Sequence, residues 1–79
     1  MNNFEGLEAS LAKQIKVELL ERDMEQKDLA AKVGIHPVTL TKYMTSQRSI
    51  PMPVFFEIAA ALGISPKALM ERAEARLAR

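Results

Sequence analysis

From Leu29 to Phe56 the chain carries no acid, yet Lys32, His36, Lys42 and Arg48 all fall inside that stretch. The formal net charge is only +1, so the distribution of charge carries the information. An acid-free window in a chain that is 27% charged implies a surface that faces something negative. The alternative is an apolar segment with a few solvated lysines. Within the window, helical spacing over residues 37–44 puts Val38, Thr39 and Lys42 on one outer face, with Thr41 and Thr45 beside them. These groups are small, polar or basic. A lysine or hydroxyl donates to base edges, and a valine or threonine methyl meets the methyl of thymine. A helix that lies in the major groove of duplex DNA needs such side chains.

Other chemistry is not supported. One His and no Cys make neither a disulfide nor a metal site of recognisable spacing. The chain has no Gly-rich phosphate cradle, no Ser-centred elbow and no paired carboxylates in a plausible cleft. Glu21 and Glu25 are close in sequence, but in a segment that reads as solvated surface. Neither an enzyme nor any cofactor or metal is expected. The methionines at 1, 24, 44, 52 and 70 form no helical stripe and read as gap-fillers. No apolar run approaches the ~20 residues that cross a bilayer. The start, MNNFEGLEAS, has neither a basic nor an apolar leader region. The expectation is a soluble cytoplasmic protein, drawn to the nucleoid by DNA, with no membrane partner.

A chain of 79 residues makes one small domain, which buries only about 60–65% of its unfolded surface. The apolar share is 48%, with only three Gly, and Ala and Leu dominate. This predicts an all-α fold, a compact five-helix domain over residues 1–79, with helices near 7–22, 26–33, 37–44, 53–62 and 66–77. In the first segment Leu7, Leu11, Ile15 and Leu19 form an inward stripe flanked by Ala12 and Leu20. Asp23 is a plausible left-handed exit. In the second, Leu29, Ala30 and Val33 face inward and Gly34 ends the helix. His36 reads as the N-cap of the third, with Pro37 at its first position and Ile35 stapling onto Leu40. Ser65 and Pro66 open the fifth in the same manner, and Ile64 and Leu69 repeat the staple.

Two helices joined only by Gly34-Ile35-His36 must cross steeply. Their close approach demands a small residue, Ala30, while Leu29, Val33, Leu40 and Tyr43 fill the wedge. The run QKDLAAKVGIHPVTLTKYM resembles the helix-turn-helix of the lambda-repressor/Cro family of DNA-binding domains, also called the xenobiotic-response-element family. The later run FFEIAAALGISPKAL is similar to that family's fourth helix and its exit. The likeness spans about residues 10–70. Departures occur at Asp23 and Glu25, where Gly and a Ser or Thr cap are usual, and at Met44 and Ser46, where an acid and a Gly are common.

The resemblance implies that the chain is a repressor or regulator of phage-immunity or Cro-like type that occupies a double-stranded operator. It implies that His36, Val38, Thr39 and Lys42 point into the groove. Gln26 would clamp a phosphate at the start of its helix. Thr45, Ser46, Gln47, Arg48 and the Tyr43 hydroxyl would contact the backbone. Two alternatives belong to other classes: an antitoxin that neutralises a protein toxin and autoregulates through DNA, and a degenerate domain used only for protein contacts. The little chain outside the matched part and the absence of acids on the third helix favour the operator reading. Self-association is expected to be weak, completed on DNA or through a separate C-terminal domain. The unassigned apolar surface is placed on the fifth segment, at Leu69, Met70, Ala73 and Leu77, part of which must cover the domain's own core and leaves little for a partner.

Overall fold

Each of five helices contributes one fully buried aliphatic side chain to a single core: Ile15, Leu29, Leu40, Ile58 and Leu69. The computed structural model describes residues 6–77. Helix α1 spans Leu7–Glu21, α2 Gln26–Val33, α3 Pro37–Met44, α4 Met52–Leu62 and α5 Pro66–Leu77. Around the five aliphatics pack Leu11, Leu19, Ala30, Tyr43, Met44, Phe55, Ala59, Leu62 and Ala73. Among the described residues no single helix is long and apolar enough to cross a membrane.

The turns follow from local chemistry. Gly34 has φ 82°, and its N–H and that of Ile35 both donate to the Ala30 carbonyl (2.8 and 3.0 Å). Ala30 is itself fully buried, as the steep α2–α3 crossing requires. Asp23 leaves α1 in the left-handed region at φ 52°. Ser65 caps α5, its Oγ accepting from the Ala68 N–H at 3.0 Å.

Two boundaries differ from the sequence reading. α1 stops at Glu21 because Arg22, at φ −104° and ψ 4°, is already its C-cap. α4 begins at Met52, one residue before Pro53, because Pro51 is extended and serves as the N-cap. Pro53 then falls in the first turn, where the missing N–H has no intrahelical partner to lose.

The inside and outside of two elements also differ from the sequence reading. Leu20 flanks the α1 stripe in sequence but is 77% exposed. Met52, read as a gap-filler, is 63% exposed. On α5 the stripe covers the core in part, as expected: Leu69 and Ala73 are fully buried, Met70 and Leu77 half-buried.

The interior of α1 is partly polar. Glu18 is completely buried, and every contact it makes is charge-assisted or strong. Its Oε1 accepts from Arg22 Nη1 at 2.6 Å, and its Oε2 from Arg72 Nη1 and Gln14 Nε2, each at 2.7 Å. Gln14 Oε1 accepts in turn from Arg76 Nε at 2.8 Å. Arg22 Nε donates to the Leu62 carbonyl at 2.8 Å, which ties α1 to the C-terminal end of α4. Burial by itself pushes the Glu18 carboxyl up, but the hydrogen bonds from Arg72, Gln14 and Arg22 outweigh it and hold the group below its ordinary value of 4.5. A carboxyl depressed in the folded state adds stability that is present above the unfolded pKa and lost as pH falls through the folded one. Acid titration of the melting temperature is therefore expected to show a decline below about pH 4.5 that is shallower in Glu18→Gln. Equal acid limbs in the two proteins would show that Glu18 does not govern this decline.

Candidate nucleic-acid interface

α3 begins with a cap made by a ring nitrogen. His36 is extended (φ −67°, ψ 140°), and its Nδ1 accepts from the Val38 N–H at 3.0 Å. With Nδ1 as acceptor, the proton of the neutral ring sits on Nε2, which leaves a donor on exposed His36. Pro37 fills the first helical position. From there Val38, 55% exposed, and Lys42 lie one turn apart on the solvent side. Thr39 is half-buried and Leu40 fully buried, so the helix divides into an outer face and an inner one. The outer face holds a cation, an imidazole N–H and a branched methyl group, and no carboxylate.

The segment after α3 folds back over its C-terminus. The N–H groups of Thr45, Ser46, Gln47 and Arg48 donate to the carbonyls of Thr41, Tyr43, Lys42 and again Lys42, at 2.9, 3.1, 2.9 and 3.3 Å. These amides are committed to the helix, so contacts from the loop must come from side chains. Ser46, Gln47 and Arg48 are exposed and available for that. Thr45 is exposed too, with its Oγ1 donating to the Thr41 carbonyl at 2.8 Å. Tyr43 is only 6% exposed, its ring belonging to the core as a residue that fills the α2–α3 wedge should. The loop is also tethered to α1: Ser49 Oγ donates to Glu8 Oε2 at 2.9 Å. Sequence reasoning missed this contact across 41 positions, since no local pattern links the two residues.

Ser46 adopts the left-handed region at φ 62°, where the family it resembles commonly has Gly. Such a conformation costs a residue with a Cβ about 1–2 kcal/mol, and glycine offsets part of this through its more flexible unfolded state. Ser46→Gly is therefore expected to raise the melting temperature by roughly 4 °C, equivalent to a net gain below about 1 kcal/mol. A lower melting temperature would mean that the Ser46 side chain stabilises the loop.

Gln26 is the first residue of α2 and is half-buried. Asp28 Oδ2 accepts from the Glu25 N–H at 3.2 Å, and Lys27 Nζ lies 3.8 Å from Glu25 Oε1. The two carboxylates complement the positive end of the helix dipole. A phosphate near Gln26 would share this end with Glu25 and Asp28, and Lys27 partly balances them.

Val38 and Lys42 share one exposed face of α3, His36 is exposed at its N-cap, and the exposed Ser46, Gln47 and Arg48 lie in the loop that follows. The Tyr43 ring packs in the core, and the exposed Thr45 donates its hydroxyl proton back to α3. A helix-turn-helix family model matches residues 15–69, from the middle of α1 to the first half of α5. No curated protein and no solved structure matches the chain.

Proposed function

Because the chain belongs to the Cro/C1-type helix-turn-helix family, a family of DNA-binding transcription regulators, we propose that it is a sequence-specific repressor that acts by occupying an operator. α3 enters the major groove. Lys42 and Thr39 donate to base edges, Val38 packs on thymine methyls and His36 offers its Nε2–H. Gln26 and Arg48 hold phosphates of the backbone, with Ser46 and Gln47 beside Arg48.

One observation carries this reading above the others. The exposed part of α3 contains no carboxylate, although the chain has ten Asp and Glu residues. A domain kept only for protein contacts would have no reason to exclude them from this face. Selection of bound duplexes from a random pool, followed by gel-shift titration, tests the proposal. Enrichment of a defined motif, bound about 10³-fold or more above random duplex, is the expected result. A pool that stays random through repeated rounds would overturn it.

A further inference from the structure

We propose that the cavity between α1, α5 and the loop after α3 binds a free α-amino acid with a bulky apolar side chain. The cavity encloses about 230 Å³. Its walls come from α1, α3, α4, α5 and the loop, so it lies where the elements of the domain converge. Leu11, Tyr43 and Phe55 in its lining are buried residues of the core, and Leu7, Ile50 and Met70 are half-buried beside them. Drug-sized ligands occupy pockets of about 300–1,000 Å³. This smaller space suits a molecule the size of one amino acid, with its apolar part turned inward.

The mouth selects the head group. Glu8, Arg48 and Ser49 are the exposed polar members of the lining. Ser49 Oγ donates to Glu8 Oε2 at 2.9 Å, which holds that carboxylate at the rim. Among the described residues neither Glu8 nor Arg48 takes part in an ion pair. One anion and one cation that do not neutralise each other complement a zwitterion. The ligand's ammonium pairs with Glu8, and its carboxylate accepts charge-assisted hydrogen bonds from the Arg48 guanidinium. A simple carboxylic acid would bring a like charge to Glu8, and a simple amine would bring one to Arg48. An apolar α-amino acid satisfies both groups and fills the space between the helices.

Arg48 is also assigned to a DNA phosphate, so the ligand's carboxylate and that phosphate compete for one guanidinium. Such coupling is reciprocal: the amino acid weakens DNA binding by the factor by which DNA weakens amino-acid binding. This regulatory step rests on the DNA-binding reading; the binding of the amino acid does not.

Tyr43 is the one tyrosine and the chain has no tryptophan, so intrinsic fluorescence reports from the wall of the cavity. L-leucine and L-phenylalanine are the probes, titrated into the full chain without DNA. At least one of them should give a saturable change in Tyr43 emission below about 10 mM. Glycine has the same head group and no side chain, and should give none. The amide of the active probe, which lacks the carboxylate, should bind at least about tenfold more weakly. Arg48→Ala should weaken the amino acid by a similar factor. So should Glu8→Gln, which keeps an acceptor for Ser49 but removes the charge. No saturable change with either probe would overturn the proposal, as would equal binding of the amide or wild-type affinity in both variants. On the selected duplex, a saturating amino acid should weaken binding by about fivefold or more. Unchanged duplex affinity would overturn the competition at Arg48. A protein that binds the amino acid and selects no motif would sink only the operator reading. One that selects a motif and ignores both probes would sink only the ligand site.

Discussion

Glu18→Ala is expected to lower the stability of the domain by about 3 kcal/mol, seen as a fall in melting temperature of roughly 15 °C at neutral pH. Removing one member of a buried ion pair leaves its partners desolvated and unmatched. Here the loss strands Arg22, Arg72 and the buried amide of Gln14 together. The two guanidiniums retain partial access to water, their side chains being 29% and 51% exposed. They can relax outward, which sets the estimate at the lower end of the range for buried pairs. Arg72→Ala should have a smaller effect, since Glu18 keeps Arg22 and Gln14. A melting temperature for Glu18→Ala within a few degrees of wild type would show that the network contributes little net stability and that apolar packing alone holds α1 against α5.

On duplex DNA, the residues assigned to phosphates and those assigned to bases should fail in different ways. Arg48→Ala removes a charge that displaces counterions, so affinity drops on all sequences and the slope of log K against log salt shrinks by roughly one unit. Gln26→Ala also weakens binding uniformly, but it is neutral and leaves the slope nearly unchanged. Thr39→Ala instead loses discrimination at one or two base pairs, by about 1–3 kcal/mol, with little change on random duplex. Lys42→Ala loses both, since a lysine that donates to guanine also feels the phosphates. Titrations on the selected site and on random duplex at several salt concentrations separate the four. If Thr39→Ala keeps the selectivity profile while Gln26→Ala alters it, then α3 meets the groove in a different register from the one proposed.

The all-α architecture was legible because its signals are local. Four-residue apolar spacing marks α1, and glycines at 34 and 63, both left-handed, mark the ends of α2 and α4. Proline at 37 and 66 marks the starts of α3 and α5. The inside of α1 was only half legible. Glu18 lies on the inward side with Leu11 and Ile15, but a carboxylate there reads as solvated until the chain brings Arg72 to it across 54 residues. The outer face of α4 was illegible for the opposite reason. Met52 and Phe56 are apolar, and hydropathy alone assigns apolar residues to the interior.

For the proposed interface, the acid-free window marks a region without sorting its members. Exposure distinguishes His36, Val38 and Lys42 from Tyr43. Hydrogen bonding distinguishes Arg48 from Thr45, whose hydroxyl is turned back onto α3. Both distinctions depend on tertiary placement or on the local path of the loop, and a residue's type does not reveal them.

The division of α3 into an exposed face and a buried one has a consequence for how such proteins diversify. Val38 and Lys42 stand clear of the core, while Leu40, Tyr43 and Met44 on the same eight-residue helix belong to it. The polar strut around Glu18 lies on α1 and α5 and draws on no residue of α3. Substitutions on the outer positions of α3 are thus released from most of the selection that folding imposes, because changing them opens no cavity and breaks no ion pair. On the proposed reading, substitutions there change which site is recognised while the fold stays intact.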